Sequence, residues 1–346
     1  DIEVNQDEGW RGYGVGAIGQ GVAPTQVKAE RVSVQRAHEA GIVNIGATME
    51  LAAVHVSDTE GIYGLDDPDF PRDFAGRGIS TQNDYFFGLP ASTSIRGSVV
   101  ERNSEIGIAV MGAAMNVAGT LVRDTLPIGG LFGRGIAVQH SPIDGTVSTA
   151  VVVDSHVADN HEIGISVTAS QAELEGVLVE GTRAGGPADA YAAGILVEID
   201  EPSLTRAAAE VRHGIVREHA TASVLTLGSD LLFEHNLVES TKGQPVTGLF
   251  GDGLLAMATV DVPYVTVRAS LIVDTSRAGV ASFGGSVDLG GTTIDCADID
   301  IAVSELGGVT PMVTDLGANR CGCGATEVEC RALSTGLEPP EPPESL

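Results

Sequence analysis

The hydrophobic positions of the chain repeat with a short, regular period. One apolar marker position recurs at spacings of 22, 44, 22, 35, 22, 37, 22, 35 and 21 residues, so that ten positions form five pairs. Fixed self-similarity of this kind is typical of solenoids and propellers. The marker residues are Val34, Val56, Val100, Val122, Val157, Val179, Val216, Val238, Val273 and Ile294.

Other positions keep the same register. A glycine follows the first marker of a pair by seven residues at Gly41, Gly107 and Gly164, whereas Gly279 is one residue early. An apolar residue stands five positions before each marker, with Arg268 as the clear exception. A threonine follows the second marker of the first four pairs by three residues, and we expect these threonines to hydrogen-bond from coil to coil. They are Thr59, Thr125, Thr182 and Thr241.

The segments between these positions predict β-strands. Each has 3 to 6 residues rich in Val and Ile and is bounded by Gly, Asn, Asp or Thr. About three such strands fill 22 residues, which is the length of one coil in a parallel β-solenoid. About ten coils in five double-coil repeats would give a rod roughly 48 Å long at ~4.8 Å per coil. A five-bladed propeller is the alternative, but its blades would not show half-repeats with one shared pattern.

Two segments carry a family resemblance. SIRGSVVERNSEIGIAV and VSTAVVVDSHVADNHEIGISV resemble repeats of right-handed parallel β-helix proteins in the pectate-lyase-like superfamily. The resemblance covers roughly residues 12–305 and implies an all-β fold. It leaves the activity open, because that superfamily contains lyases, hydrolases, epimerases, adhesins and scaffolds. We expect a β-helix domain at 1–305, a Cys-rich cap at 306–333 and an extended, solvated Pro/Glu-rich tail at 334–346.

The composition limits the possible partners. The 346 residues carry a formal net charge of −28, and 43% of them are hydrophobic. Such an acidic surface repels nucleic-acid phosphates and anionic lipid. No apolar run reaches the ~18 residues that would span a bilayer. No signal peptide is recognised, so we expect that Asp1 follows processing or trimming.

Longer insertions follow the second coil of each pair, at approximately 60–77, 126–134, 183–193 and 242–252, so we expect all long loops on one edge. An aromatic residue precedes the next coil each time, and two loops are near copies, GLFGRG and GLFGDG. These rings are interpreted as anchors that pack the loops onto the coils. The alternative is a platform for sugar rings, formed by Phe74, Phe132, Tyr191 and Phe250.

Four cysteines cluster after the repeats, at Cys296, Cys321, Cys323 and Cys330. They predict a disulfide-stapled cap over the terminal coil, with Cys321 and Cys323 bonded to Cys296 and Cys330 in an unassigned order. A zinc site is the alternative, but the Cys-x-Cys spacing lacks the usual two-residue gap. Disulfides favour an oxidising, extracellular compartment.

The acidic loop GLDDPDFPRDF is the main candidate for a calcium site, and a second acidic stretch with Asp288, Asp295, Asp298 and Asp300 is a weaker one. Asp66, Asp67, Asp69 and Asp73 provide oxygen ligands that calcium prefers, although the EF-hand spacing is missing. A solvated acidic loop is the alternative. No cofactor is required by any other motif.

Charged residues in neighbouring coils are the main catalytic candidates. His213 and His235 occupy the same register position in neighbouring coils, and Arg212 and Glu234 precede them. Arg217 directly follows the marker Val216. Arg, His and Glu in one patch could abstract a proton beside a uronic carboxylate. Alternating charges also stabilise stacked strands without any catalytic role.

The stretch DNHE at 159–162 resembles the Asp-Pro-His-Glu/Asp motif of alginate epimerases, with Asn160 in place of proline. The resemblance would assign roles to Asp159 and His161. Because RNSE and AHEA occur at the same turn of other coils, the repeat itself also explains the match.

These observations favour a secreted or surface-attached β-helix protein that acts as a binding or scaffold module, with an extracellular glycan or surface component as partner. The alternative function is a polysaccharide lyase, glycoside hydrolase or uronate epimerase that acts in a groove along the helix.

Overall fold

The computed structural model describes residues 2–3, 12–19, 25–61, 76–128, 132–184, 192–244, 247–324, 326–334 and 336–340. Within these ranges the chain consists of strands, turns and loops, and no helix occurs. No segment of these ranges is an apolar helix long enough to cross a membrane. The strands form three parallel faces, called face 1, face 2 and face 3, which the chain visits in the order 3, 1, 2 in every coil. This parallel stacking confirms the solenoid and excludes the propeller.

Face 1 contains the shortest strands, most of them three residues long. Its strands are Ile2–Glu3, Ser33–Gln35, His55–Ser57, Val99–Glu101, Leu121–Arg123, His156–Ala158, Leu178–Glu180, Ile215–Arg217, Leu237–Thr241, the first parts of Leu271–Phe283 and Thr293–Ser304, and Arg320–Cys323.

Face 2 contains the longest regular strands. They are Tyr13–Ile18, Ala40–Ile45, Arg77–Gln82, Ile106–Met111, Arg134–Gln139, Glu162–Thr168, Ala192–Glu198, Ala222–Leu227, Asp252–Met257, the second parts of Leu271–Phe283 and Thr293–Ser304, and Ala332–Ser334.

Face 3 forms a separate sheet, with eleven strands in the described part of the chain. They are Thr25–Glu30, Ala47–Ala52, Ser92–Arg96, Ala114–Ala118, Thr149–Val153, Gln171–Glu175, Ala208–Arg212, Asp230–Glu234, Tyr264–Arg268, Ser286–Gly290 and Met312–Gly317. The strand Thr326–Val328 pairs antiparallel with Arg320–Cys323.

The marker residues form a buried column inside face 1, with one correction to the predicted register. Val238 pairs with Ile272, which in turn pairs with Ile294, so the marker of that coil is Ile272 and not Val273. Ile272 is fully buried. The error arose because two apolar residues are adjacent there, and only the inward one belongs to the column.

The corrected register removes both exceptions in the sequence pattern. Gly279 follows Ile272 by seven residues, as the other glycines do. Val267, which is buried, stands five residues before Ile272, so the exposed Arg268 is not part of the apolar column.

Every face 1 strand from Ser33–Gln35 to Thr293–Ser304 is bounded by two residues with left-handed backbone angles, φ between 45° and 64°. One stands three residues before the marker and the other two residues after it. Tight turns of this kind keep face 1 short and its two edges compact. The earlier positions are Arg31, Ala53, Gly97, Gly119, Asp154, Gly176, His213, His235, Ala269 and Gly291.

Asparagine side chains make coil-to-coil hydrogen bonds at the turn that follows face 1. The side chain of Asn103 accepts from the Thr59 backbone N–H at 3.1 Å, and Asn160 accepts from that of Thr125 at 3.0 Å. The hydroxyls of Thr59 and Thr125 have no partner in the described part of the chain. Among the described residues the expected bonds are therefore absent at Thr59 and Thr125, whereas the Thr241 hydroxyl does reach the preceding coil, where it lies 2.6 Å from Ser223 Oγ.

Long connections leave from both edges of face 2, which corrects the expectation of a single edge. The predicted loops join face 1 to face 2. A second set joins face 2 to face 3 at 83–91, 140–148, 199–207, 258–263 and 305–311. Marker spacing records the total insertion in a coil and not its position, so the second set escaped the sequence pattern.

The C-terminal region covers the last coil. Cys321 continues the marker column below Ile294 and forms a disulfide with Cys330. Cys296 is bonded to Cys323, so the predicted staple is confirmed and its order is assigned. These disulfides exclude the zinc alternative.

The described part of the tail is not solvated as expected. Leu337 packs against apolar residues on the outside of face 2, Pro340 is buried, and Arg277 donates to the Glu338 carbonyl at 3.0 Å. Packing these proline and leucine side chains on the apolar surface removes them from water, which stabilises the docked tail.

The outer side of face 2 is apolar towards its C-terminal end and is buried there. Side chains alternate between inside and outside along a strand. The outward residues form a second hydrophobic cluster, separate from the central core, which includes Leu196, Leu225, Leu255, Met257 and Phe283.

Candidate functional site

The predicted catalytic group around His213 lies on the edge between faces 3 and 1, away from the long connections. The His213 and His235 rings stack with centroids 5.2 Å apart, and His213 Nδ1 lies 2.8 Å from Glu175 Oε1. Arg212 is paired with Glu210 at 2.5 Å and with Glu234 at 3.5 Å. This surface is exposed and has no loop wall in the described part of the chain.

Arg217 belongs to a charge ladder on face 1. It binds Glu180 at 2.6 Å and Glu239 at 3.3 Å. Burial raises the pKa of Glu180, but the hydrogen bonds from Arg217 and His156 outweigh it and hold that pKa below its ordinary value. The arginine and both carboxylates are thus engaged with one another, as cross-strand pairing requires.

The residues of the DNHE stretch make contacts in different parts of the structure. Asp159 binds Arg183 at 3.0 Å, and His161 Nδ1 donates to the Thr125 carbonyl at 2.9 Å. Glu162, the last residue of the stretch, enters face 2 and binds Arg134. Its neighbours therefore hold the turn, while Glu162 faces the outer side of face 2.

Two of the four predicted aromatic residues are described, and both contact arginines. Phe132 is buried, with the Arg134 guanidinium 5.4 Å from its ring centroid. Phe250 is half-buried, with the Arg277 guanidinium at 5.0 Å. These contacts fit loop anchoring. Phe74 and Tyr191 lie outside the described residues, as do the calcium candidates Asp66, Asp67, Asp69 and Asp73.

A cluster of polar residues interrupts the apolar outer layer of face 2. We call it the face 2 centre, and it belongs to three consecutive coils. Register pairing places Gln139, Thr168 and Glu198 side by side in one outward column, and Ser166 lies in the middle coil. Its members are Arg134, Gln139, His140, Glu162, Ser166, Thr168, Glu198 and Asp200.

Three side-chain contacts organise the face 2 centre. Arg134, which is fully buried, donates to Glu162 at 3.0 Å. Thr168 donates its hydroxyl hydrogen to Glu198 at 2.7 Å. On the less buried side, His140 Nε2 lies 3.7 Å from Asp200. Arg134 therefore holds one carboxylate, while Glu198 receives only a neutral hydrogen bond.

The electrostatic environment favours the neutral form of Glu198. Burial raises its pKa, and the charges of Glu162 and Asp200 add to this effect. The positive charge of Arg134 and the hydrogen bond from Thr168 oppose it without cancelling it. Glu198 is thus poised to keep a proton at a pH where ordinary carboxyl groups have lost theirs.

Three polar atoms of the face 2 centre are buried without a hydrogen-bond partner in the described part of the chain. They are Ser166 Oγ, Gln139 Oε1 and His140 Nδ1. Burying such a group without a partner costs about 1–3 kcal/mol. The centre therefore combines unused hydrogen-bonding capacity with a carboxyl group whose pKa is raised by burial, on the face that long connections flank on both edges.

Sequence reasoning missed the face 2 centre because its residues are spread from 134 to 200 and form no local motif. A signal was nevertheless present in the outward column. Ile45, Met111, Leu227, Met257 and Phe283 occupy it elsewhere. Gln139, Thr168 and Glu198 are three polar residues in succession in that column, whereas Gln82 and Ser304 are single polar residues in it.

Comparison with known proteins identifies the fold. No family model and no curated protein matches the chain. Among solved structures, a periplasmic alginate epimerase matches with a TM-score of 0.51 and 12% identity, over 80% of this chain and 61% of that one. The chain thus spans about three fifths of the epimerase.

Two further structures match less closely. The catalytic unit of a GH87 α-1,3-glucanase from Streptomyces thermodiastaticus strain HF3-3 has a TM-score of 0.46 and 15% identity, over 83% of this chain and 62% of that one. An alginate lyase from Paenibacillus sp. str. FPU-7 has a TM-score of 0.43 and 13% identity, over 85% and 98%. The likeness to the epimerase shows the fold, and the protein is a right-handed parallel β-helix.

Proposed function

We propose that this protein binds an extracellular glycan at the face 2 centre. The observation that carries the proposal is the set of buried, unpartnered polar atoms at Ser166, Gln139 and His140. A sugar offers hydroxyl groups that donate and accept at once, so one ring can satisfy several of these atoms. The disulfides support an oxidising compartment and hence an extracellular site of action.

The charge of the centre favours a neutral glycan. Within the described part of the chain, the carboxyl groups of Glu162, Glu198 and Asp200 share this centre with one arginine, Arg134, which Glu162 already engages. A polyuronate would bring further carboxylates into this environment and would meet repulsion from a chain of net charge −28. Neutral hexose polymers avoid both costs.

The test is a glycan array followed by titration calorimetry on the strongest neutral glycan. The informative variants are His140→Ala and Ser166→Ala, which remove polar atoms of the centre. Glu173→Gln on the exposed surface of face 3 is the matched control. We expect each centre variant to weaken binding at least tenfold and the control to leave it unchanged. Equal binding by all proteins would contradict the proposal.

A second function is favoured by the pKa of Glu198. A protonated carboxyl group beside a carboxylate is the arrangement that glycoside hydrolases use. Glu198 would give its proton to the glycosidic oxygen as the bond from that oxygen to the anomeric carbon breaks. A water molecule would attack the anomeric carbon and give its proton to the Glu162 carboxylate. Alternatively, the Glu162 carboxylate would attack the anomeric carbon first, and water would then hydrolyse the glycosyl ester and return a proton to Glu198.

Release of reducing ends from the glycans that bind would test this second function. If the protein is a hydrolase, Glu198→Gln should abolish release while binding persists, since the amide cannot donate an acidic proton. If bound glycans stay intact over long incubation, the binding function stands alone.

A further inference from the structure

The connection 83–91 carries three exposed aromatic residues in succession. The exposed fractions are 43% for Tyr85, 79% for Phe86 and 66% for Phe87. The Tyr85 and Phe86 rings lie with centroids 4.1 Å apart at an interplanar angle of 35°. Exposed apolar surface of this extent marks interaction sites on folded proteins.

A rigid hairpin holds these rings in the solvent. Asp84 and Leu89 exchange backbone hydrogen bonds of 2.9 and 3.0 Å. The Asp84 carboxylate accepts from the backbone N–H groups of Phe86 and Phe87 at 2.9 and 3.1 Å. Asn83 accepts from the Ala91 backbone at 2.7 Å. The backbone that carries the rings is therefore held in place, which lowers the entropic cost of binding.

Equivalent hairpins show that this fold does not require aromatic tips. The hairpins at 140–148 and 199–207 have the same length and place a left-handed residue at the position of Gly88, namely Gly145 and Leu204. Their tips read Pro142-Ile143-Asp144 and Glu201-Pro202-Ser203 where the first hairpin has Tyr85-Phe86-Phe87. The three rings therefore reflect a local requirement other than folding.

The aromatic hairpin lies next to the face 2 centre. It begins directly after Gln82, and His140 follows directly after Gln139. Gln82 pairs with Met111, which pairs with Gln139, so the two positions lie two coils apart on the same edge. Two coils correspond to about 10 Å. A chain of a few sugars can reach from one to the other.

We propose that Tyr85, Phe86 and Phe87 form a second subsite for the same neutral glycan, where sugar rings stack beside the face 2 centre. This inference rests on the proposed function. Pyranose rings present apolar C–H faces that pack on aromatic rings, and the Tyr85 hydroxyl adds a hydrogen-bonding group. Continuity with the centre favours a glycan over a protein partner.

The test uses a graft between equivalent hairpins. Tyr85→Pro, Phe86→Ile and Phe87→Asp together copy the tip at 142–144, which the same backbone already accommodates. Phe86→Ser is a milder second variant, and Ile143→Ser is the matched control on the neighbouring hairpin. Titration calorimetry would measure the affinity of each protein for the array-selected glycan and for the shortest fragment of that glycan that still binds.

We expect the graft to weaken binding of the long glycan at least tenfold, Phe86→Ser to weaken it severalfold, and fragment binding to stay unchanged. Unchanged binding of the long glycan would overturn the second subsite and leave the proposed function intact. Absence of glycan binding by the wild-type protein would overturn the proposed function, and this inference with it. If light scattering shows that wild-type protein is oligomeric and the graft monomeric, with binding unaltered, the rings join copies of the chain and this inference is wrong.

Discussion

Replacing Glu198 by Gln separates stability from function at the face 2 centre. The amide has the shape of the acid and keeps an oxygen that accepts from Thr168 Oγ1, at 2.7 Å from Glu198 in the wild type. It cannot ionise, so it escapes the cost of a buried charge. We expect Glu198→Gln to be more stable than wild type at neutral pH, to keep glycan binding and to lose any hydrolase activity.

The raised pKa of Glu198 determines how the stability difference between the variant and the wild type depends on pH. Burial raises the folded-state pKa of Glu198 above the unfolded value of about 4.3. The stability contributed by the protonated acid is complete below that unfolded value and is lost as the pH rises through the folded-state pKa. The advantage of the variant should therefore be absent at low pH and grow towards neutral pH. Each unit of pKa shift corresponds to about 1.4 kcal/mol.

Urea denaturation between pH 4 and pH 8 would measure the difference in the free energy of unfolding. Any loss of a negative charge can stabilise a chain of net charge −28, so Glu173→Gln is the necessary control. Glu173 is exposed and lies on face 3. If Glu198→Gln and Glu173→Gln show the same pH dependence, Glu198 is not held neutral by burial and the reasoning is wrong.

Three further predictions concern the fold. Gly135→Ala places a Cβ 2.6 Å from the Gly164 carbonyl oxygen and 2.7 Å from Val157 Cγ1, so it should lower the free energy of unfolding by about 1–3 kcal/mol. The control Gly16→Ala makes only an ordinary contact of 3.5 Å and should leave the free energy of unfolding unchanged. Phe132→Ala should cost about 3–5 kcal/mol in urea melts, and a change within error would show that its ring does not anchor the loop. Reduction of both disulfides should lower the free energy of unfolding by about 2–5 kcal/mol and direct the first protease cuts to residues 290–330. First cuts in the middle coils would contradict the capping role.

The fold was readable from the sequence because a stacked coil repeats its constraints at fixed positions. Marker residues such as Val100 and Val122 lie inside every coil, and turn positions such as Gly97 and Gly119 demand left-handed backbone. The cysteine cap followed from the clustering of four cysteines at an open end. The one register error, Val273 for Ile272, arose where two apolar residues are adjacent.

The site was less readable for a related reason. Glu198 and Ser166 lie in coils whose local pattern is ordinary, and they become a site only when three coils are stacked. His213 and His235 stood out in the sequence because they replace turn glycines, yet a left-handed turn can hold a histidine without any catalytic role. The aromatic hairpin lies between marker positions, so the repeat did not reveal which edge it occupies.

Hydrogen–deuterium exchange with and without the array-selected glycan tests the central claim most directly. We predict that the glycan slows exchange in peptides covering 139–140, 166–168 and 198–200, with a further decrease at 83–91 for long chains. Peptides from face 3, such as Gln171–Glu175, should be unchanged. Protection confined to face 1 or face 3, with none at the face 2 centre, would contradict the account.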